Sequence, residues 1–175
     1  DEKDNFEKCL LIHKDSLTHF QMQNIGEDTA KLLNHLTSLK SLSMTSISPN
    51  FTKTDKITLL FVKNLEHDWS QQFPLVRKLS ISKSKNLSSI QNFKNLETLS
   101  VKYAKFYRTN IPTTVKHLKF SNMQFTPSPF VFNGNQIESV KVLNYSSELN
   151  WLMEHLQKKD TRLKRLEIQD WILER

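Results

Sequence analysis

The chain has 175 residues, with 25 Lys and Arg against 18 Asp and Glu and a formal charge of +7. That length suits one domain, able to bury roughly 70% of the surface its unfolded form exposes, and the charge favours acidic partners in general. Gly26 and Gly134 are the only glycines, which excludes the loops that cradle nucleotide phosphates, and no apolar run approaches the ~18 residues that cross a bilayer, so no membrane role is expected.

Phe6, Cys9, Leu10 and His13 fall at helical spacing, so a helix is expected over 6–15, shielding the first strand. Cys9 has no partner for an internal disulfide; a buried thiol in a cytoplasmic or nuclear protein is the expectation. Three Asn-x-Ser/Thr triplets, at Asn50, Asn86 and Asn144, are what a chain rich in Asn, Ser and Thr produces by chance. Because it starts at Asp1, the chain reads as a fragment of a longer protein.

Leu17, Phe20, Met22 and Ile25 then take relative positions one, four, six and nine. This suits a short strand with positions four and six facing inward, entered and left by turns that also bury a side chain. Glu27 and Asp28 precede Ala30, Leu33 and Leu36, the acid-first order of a helix, and the nine-residue pattern returns at Leu39, Leu42, Met44 and Ile47. Ser48-Pro49-Asn50 breaks the chain, and the next copy starts only at Val76. Residues 48–75 are therefore expected to be a helical insertion between repeats two and three. Thr54 and Asp55 would cap a helix from Asp55 to Gln72 with an apolar face of Ile57, Leu60, Phe61, Leu65 and Trp69. His67 and Asp68 beside it read as solvated polar groups, because a catalytic pair needs a third partner.

Four copies follow: Val76, Leu79, Ile81, Ser84; Leu96, Leu99, Val101, Ala104; Val115, Leu118, Phe120, Met123; and Ile137, Val140, Val142, Tyr145. Their spacings of 20, 19 and 22 residues are too short for full helices. Leu87, Ile90 and Phe93 can pack from one turn, while Ile111-Pro112 and Pro127-Ser128-Pro129 favour extended chain, giving a flat, helix-poor back. Ser147 can cap a helix expected to turn Leu149, Leu152, Met153 and Leu156 inward, and the last copy is Leu163, Leu166, Ile168, Trp171. Trp151 and Trp171-Ile172-Leu173 leave apolar surface that is expected either to cap the final repeat or to meet a continuation of the chain.

Seven copies of Leu-x-x-Leu-x-Leu-x-x-apolar resemble the leucine-rich-repeat family over about residues 6–173. The resemblance implies an α/β solenoid of about seven irregular repeats, forming a single domain over 1–175, with a parallel concave sheet and a mixed helix and loop convex side. The family's usual Asn or Cys at position nine is missing, so turn amides need other partners. Irregular repeats of this kind look most like the intracellular repeats of F-box substrate receptors, and those of intracellular immune receptors are also similar. The first implies a protein-binding module, the substrate-recognition part of an F-box-like ubiquitin-ligase receptor, with a Skp-type adaptor expected on a further N-terminal region of the whole protein. The alternatives are ligand sensing in an immune receptor, an architectural subunit using the insertion helix, and a basic nucleic-acid scaffold.

Positions three, five and seven would face outward on the concave sheet. The residues expected to meet a partner are Lys78, Thr98, Ser100, Lys102, Tyr103, His117, Lys119, Lys141, Leu143 and Arg165. The cations suit an acidic or phosphorylated peptide with serines as short donors; Tyr103, Leu143 and Tyr107 would be apolar anchors. Few exposed aromatics suit base stacking, which counts against nucleic acid. Scattered histidines and a lone cysteine offer no catalytic or metal-binding set, so no enzyme activity and no cofactor are expected.

Overall fold

A computed structural model describes residues 2–48, 51–65, 67–84, 87–103, 109–123, 130–132, 136–145, 150–157 and 162–171. The chain runs α1 (Glu2–Ile12), β1 (His19–Ile25), α2 (Glu27–Leu33), β2 (Ser41–Ile47), β3 (Leu59–Val62), β4 (Lys78–Ser82) and a short 3-10 helix (Ser88–Asn92). It continues through β5 (Thr98–Lys102), β6 (Thr109–Ile111), β7 (His117–Ser121), β8 (Phe130–Phe132), β9 (Ser139–Tyr145), α3 (Asn150–Leu156) and β10 (Arg165–Trp171). Eight strands form one sheet in the order β1-β2-β3-β4-β5-β7-β9-β10, and every pairing is parallel. The molecule is thus a parallel-sheet solenoid with few helices. On its back β6 pairs with β8, so the middle repeats carry extended chain and a 3-10 turn, while α2 follows β1 and α3 precedes β10.

Position-by-position burial explains the stacking. Leu42, Leu60, Leu79, Leu99, Leu118 and Val140 take position four of successive strands and are at most 2% exposed. Met44, Val62, Ile81, Val101, Phe120 and Val142 are buried likewise at position six, none more than 4% exposed. No strand can bury its apolar row alone; each is covered by its neighbours and by the side chains at positions one and nine. A second device recurs at every junction of the sheet. The position-two carbonyl of one strand accepts N–H bonds from positions two and three of the next, as when Arg77 O takes Glu97 N at 2.8 Å and Thr98 N at 2.9 Å. All seven junctions carry it, from Thr18 O to Glu138 O, so the register does not slip along the sheet.

Among the described residues the expected insertion helix is absent. Among the described residues of 48–75 the regular element is β3, which pairs with β2 and β4 in the middle of the run. Ile57, Leu60, Val62 and Leu65 fill positions one, four, six and nine and are all buried, so this segment is a repeat of its own and the sheet has eight strands. Leu-Leu-Phe-Val is apolar on both faces, which hides the two-residue period and leaves a spacing that also fits a helix. Leu60 and Trp69, expected on the apolar face of that helix, are core residues of the repeat. The convex contact assigned to that helix has no helix to carry it.

Cys9 is exposed, contrary to the expected buried thiol. Helix α1 buries Leu10 and sets Phe6 against Phe20 of β1, with ring centroids 6.5 Å apart, so its contact stripe passes beside Cys9. At the far end Leu166 and Ile168 of β10 are 41% and 42% exposed, so the core thins at the last strand. Of the proposed C-terminal helix, α3 buries Leu152 and half-buries Met153 and Leu156, as expected. Ser147, Leu149, the Pro127-Ser128-Pro129 segment and residues 172–173 lie outside the described residues.

Strand exits replace the missing Asn ladder in two ways. Lys83, Tyr103, Asn122 and Asn144, all at position eight, adopt left-handed backbone with φ of 60°, 51°, 51° and 46°. The turn keeps the amide in the ladder: Lys83 N reaches Lys102 O at 2.9 Å, and Tyr103 N reaches Ser121 O at 3.1 Å. At position nine, buried Ser84 accepts the Leu65 amide through Oγ at 3.3 Å, the service an Asn would provide.

Candidate functional site

With positions four and six turned into the core, positions three, five and seven of all eight strands form the other face of the sheet. At ~4.8 Å per strand the face is about 34 Å across. In-register pairing sets position five in one row: Gln21, Ser43, Phe61, Ser80, Ser100, Lys119, Lys141 and Glu167. The face therefore changes character along the sheet, from small neutral groups through one phenyl ring to charges.

Nine of the ten expected residues lie on strands of this face: Lys78, Thr98, Ser100, Lys102, His117, Lys119, Lys141, Leu143 and Arg165. Tyr103 sits just past β5, half exposed on a left-handed backbone, with the Lys102 ammonium 4.8 Å from its ring centroid. A bulky aromatic rarely adopts that backbone, and here the ladder bond and the cation–π contact hold it. His117 Nδ1 meets Ser139 Oγ at 2.9 Å along the position-three row. Ser121, expected to face outward, is only 7% exposed. Tyr107 is outside the described residues.

The five cations divide into two groups. Glu167 pairs with Lys141 at 2.5 Å and with Arg165 at 3.1 Å, and the Lys141 ammonium holds the Glu167 carboxyl below its ordinary range. Those two charges are internally satisfied. Lys78, Lys102 and Lys119 have no acidic partner among the described residues. Lys102 and Lys119 stand diagonally on adjacent strands, because Ser100 is the register partner of Lys119. At the strand entrances Lys164 donates to Glu138 at 2.8 Å and lowers its carboxyl in the same way, while Arg77 meets Glu97 at 3.7 Å. These are rim pairs along the ladder rather than ligand groups.

Sequence reasoning missed the residues of β3. Leu59, Phe61 and Lys63 occupy positions three, five and seven, and Phe61 is 43% exposed between Ser43 and Ser80. A phenyl ring between two serines leaves space on both sides, and a shallow depression of about 240 Å³ is lined there by Gln21, Ser43, Phe61, Lys63 and Ser80. The signal was present: Ile57 lies 18 residues after Leu39 and 19 before Val76, and four apolar residues match the nine-residue pattern.

His67 and Asp68 have structural surroundings. The His67 ring stands edge-on to buried Trp69 at 5.6 Å, and Asp68 accepts the Ser70 amide at 3.0 Å and the Asn92 side chain of the next repeat at 2.6 Å. Partial burial pushes the Asp68 carboxyl up, and the hydrogen bonds from Ser70 and Asn92 more than offset it, leaving the group below its ordinary value. The carboxylate ties one turn to the next. Among the described residues no group of three or more His, Cys, Asp and Glu is gathered as a metal site would be, and no helix is long and apolar enough to cross a membrane. Comparison with models of known families, with curated proteins and with solved structures finds no match for the chain.

Proposed function

We propose that the chain is a leucine-rich-repeat module that binds a protein segment on the open face of its sheet. The observation that carries this reading is the asymmetry of the eight strands. One face is buried from β2 to β9; the other keeps a continuous row of small hydroxyls, lysines and one exposed phenyl ring with nothing packed over it among the described residues. A protein segment can use such a face because backbone groups meet the hydroxyls, carboxylates meet the lysines and an apolar residue meets the ring. The finer reading is the substrate-recognition region of an F-box-like ubiquitin-ligase receptor. It rests on the irregular repeats without a position-nine Asn.

Glu167 counts against the nucleic-acid reading. It neutralises Lys141 and Arg165 and interrupts the positive row that would track phosphates. Sensing by an immune receptor and a purely architectural role remain the other readings, and the latter has lost its contact helix. The test is capture of partners from native extract with the full-length protein, comparing wild type with the Lys102→Glu/Lys119→Glu double variant. A Skp-type adaptor recovered with both forms, together with a second protein lost from the variant, is the expected result. Recovery of membrane or immune-signalling domains, or of nucleic acid with an affinity that falls steeply with salt, overturns it.

A further inference from the structure

Resting on the open-face reading, we infer that the ligand is an acidic peptide segment with two fixed points: an apolar side chain seated beside Phe61, and carboxylates on Lys102 and Lys119. Phe61 is the one phenyl ring on the strands of this face among the described residues, and its register partners Ser43 and Ser80 leave room for a second side chain against it. The depression beside it is lined by neutral groups, with Lys63 at the edge, so it suits an apolar residue rather than a charge. Further along the face Lys78, Lys102 and Lys119 have no acidic partner among the described residues, and of these Lys102 and Lys119 stand diagonally on adjacent strands, whereas Lys141 and Arg165 are held by Glu167.

Register fixes the distance between the two points. From β3 to β7 the sheet advances three strands, through β4 and β5, which is about 14 Å at ~4.8 Å each. An extended peptide covers that in about four residues. The segment therefore lies across the strands, with its apolar residue about four positions from its acidic pair. The charge type follows from the side chains. The two groups without an acidic partner are lysines, single point charges on adjacent strands that two singly charged carboxylates match one to one, and the arginine on this part of the face is occupied by Glu167. Carboxylates are the assigned partner.

The test uses the whole 175-residue chain and fluorescein-labelled peptides of Ser, Gln and Gly that carry one Leu or Phe and one Glu-Glu pair, the separation varied from about one to eight residues. Anisotropy should show an affinity maximum at a separation of about three to five, roughly fivefold above either extreme. Phe61→Ser should flatten that maximum to a weak, salt-sensitive residue of binding, and Lys102→Glu/Lys119→Glu should remove binding, with far-UV circular dichroism unchanged in each. Binding that is lost in the lysine variant but never depends on separation, or that keeps its maximum in Phe61→Ser, overturns the two-point register and leaves the open-face reading standing. Absence of binding, or binding indifferent to all three substitutions, overturns both. Phosphoserine in place of the Glu pair should bind no tighter; a tenfold preference for it overturns the carboxylate assignment.

Discussion

Strands β3 and β5 do the same work in the sheet and look entirely different in sequence. Each contributes two inward residues to the core, Leu60 and Val62 or Leu99 and Val101, and each is held between two parallel neighbours. The outward residues of β5 are Thr98, Ser100 and Lys102, so alternation exposes it as a strand; those of β3 are Leu59 and Phe61, so its four residues read as one apolar run. The contrast separates two reasons for an apolar residue. Leu60 serves the fold, while Phe61 next to it is 43% exposed and serves nothing in the core. A strand that breaks the pattern on its solvent side marks the place where the surface has another use.

The largest effect expected is in the core, and it should be the same in both strands. Leu60→Ala and Leu99→Ala should each cost about 2–5 kcal/mol in urea unfolding, because both side chains are fully buried. A cost below about 1 kcal/mol for Leu60→Ala alone would break the equivalence of β3 and β5.

Next in size is the strand exit, where the two repeats should differ. Position eight is left-handed at Tyr103 and not at Asn64, its counterpart after β3, so Tyr103→Gly should be more stable than Tyr103→Ala by about 1–2 kcal/mol. At Asn64 the order of the Gly and Ala variants should reverse, by roughly 0.5–1 kcal/mol. Thermal melts of the four variants decide it, and the same order at both sites would mean that the exits are alike.

Phe61→Ser should change stability by less than about 1 kcal/mol, in contrast to its neighbour Leu60, because much of the ring is already in water. A cost as large as that of Leu60→Ala would assign the ring to the core and remove it from the face.

The smallest effect concerns charge and sets β9 and β10 against β3. Glu138 and Glu167 have carboxyls held below their ordinary value of 4.5 by Lys164 and Lys141. A carboxyl depressed in the folded state contributes stability that is fully present above its unfolded pKa and is lost as pH falls through its folded pKa. Amides of β9 and β10 should therefore lose hydrogen-exchange protection on acidification from neutral pH to below about 4, before those of β3 do. Glu167→Gln should reduce that acid dependence; identical acid limbs in wild type and variant would show that the pair contributes nothing.

Much of the architecture was legible because burial imposes a period. Positions one, four, six and nine announced seven strands, and the 20-, 19- and 22-residue spacings announced a back without full helices, where β6, β8 and a 3-10 turn now lie. The parts that were not legible have physical causes. The spacing Ile57, Leu60, Leu65 serves a helix face and a repeat alike, and only the partner strands decide between them. Cys9 fell on a helical stripe, but the stripe that packs is set by where Phe20 stands, which is a tertiary fact. On the candidate face the lysines could be placed from the period alone. That two basic groups are tied up by one glutamate depends on pairing between β9 and β10, which periodicity does not reveal.

Everything assigned to the ligand depends on β3 being a strand that shows Phe61 to solvent, and hydrogen exchange measured residue by residue tests that most directly. The amides from Leu59 to Lys63 should be protected to the same degree as those of Lys78–Ser82 and Thr98–Lys102, since Leu59 N bonds Lys40 O at 3.1 Å and Lys63 N bonds Met44 O at 3.0 Å. Free exchange at 59–63, or an unbroken protected run from 56 to 69 of the kind a helix gives, would contradict it.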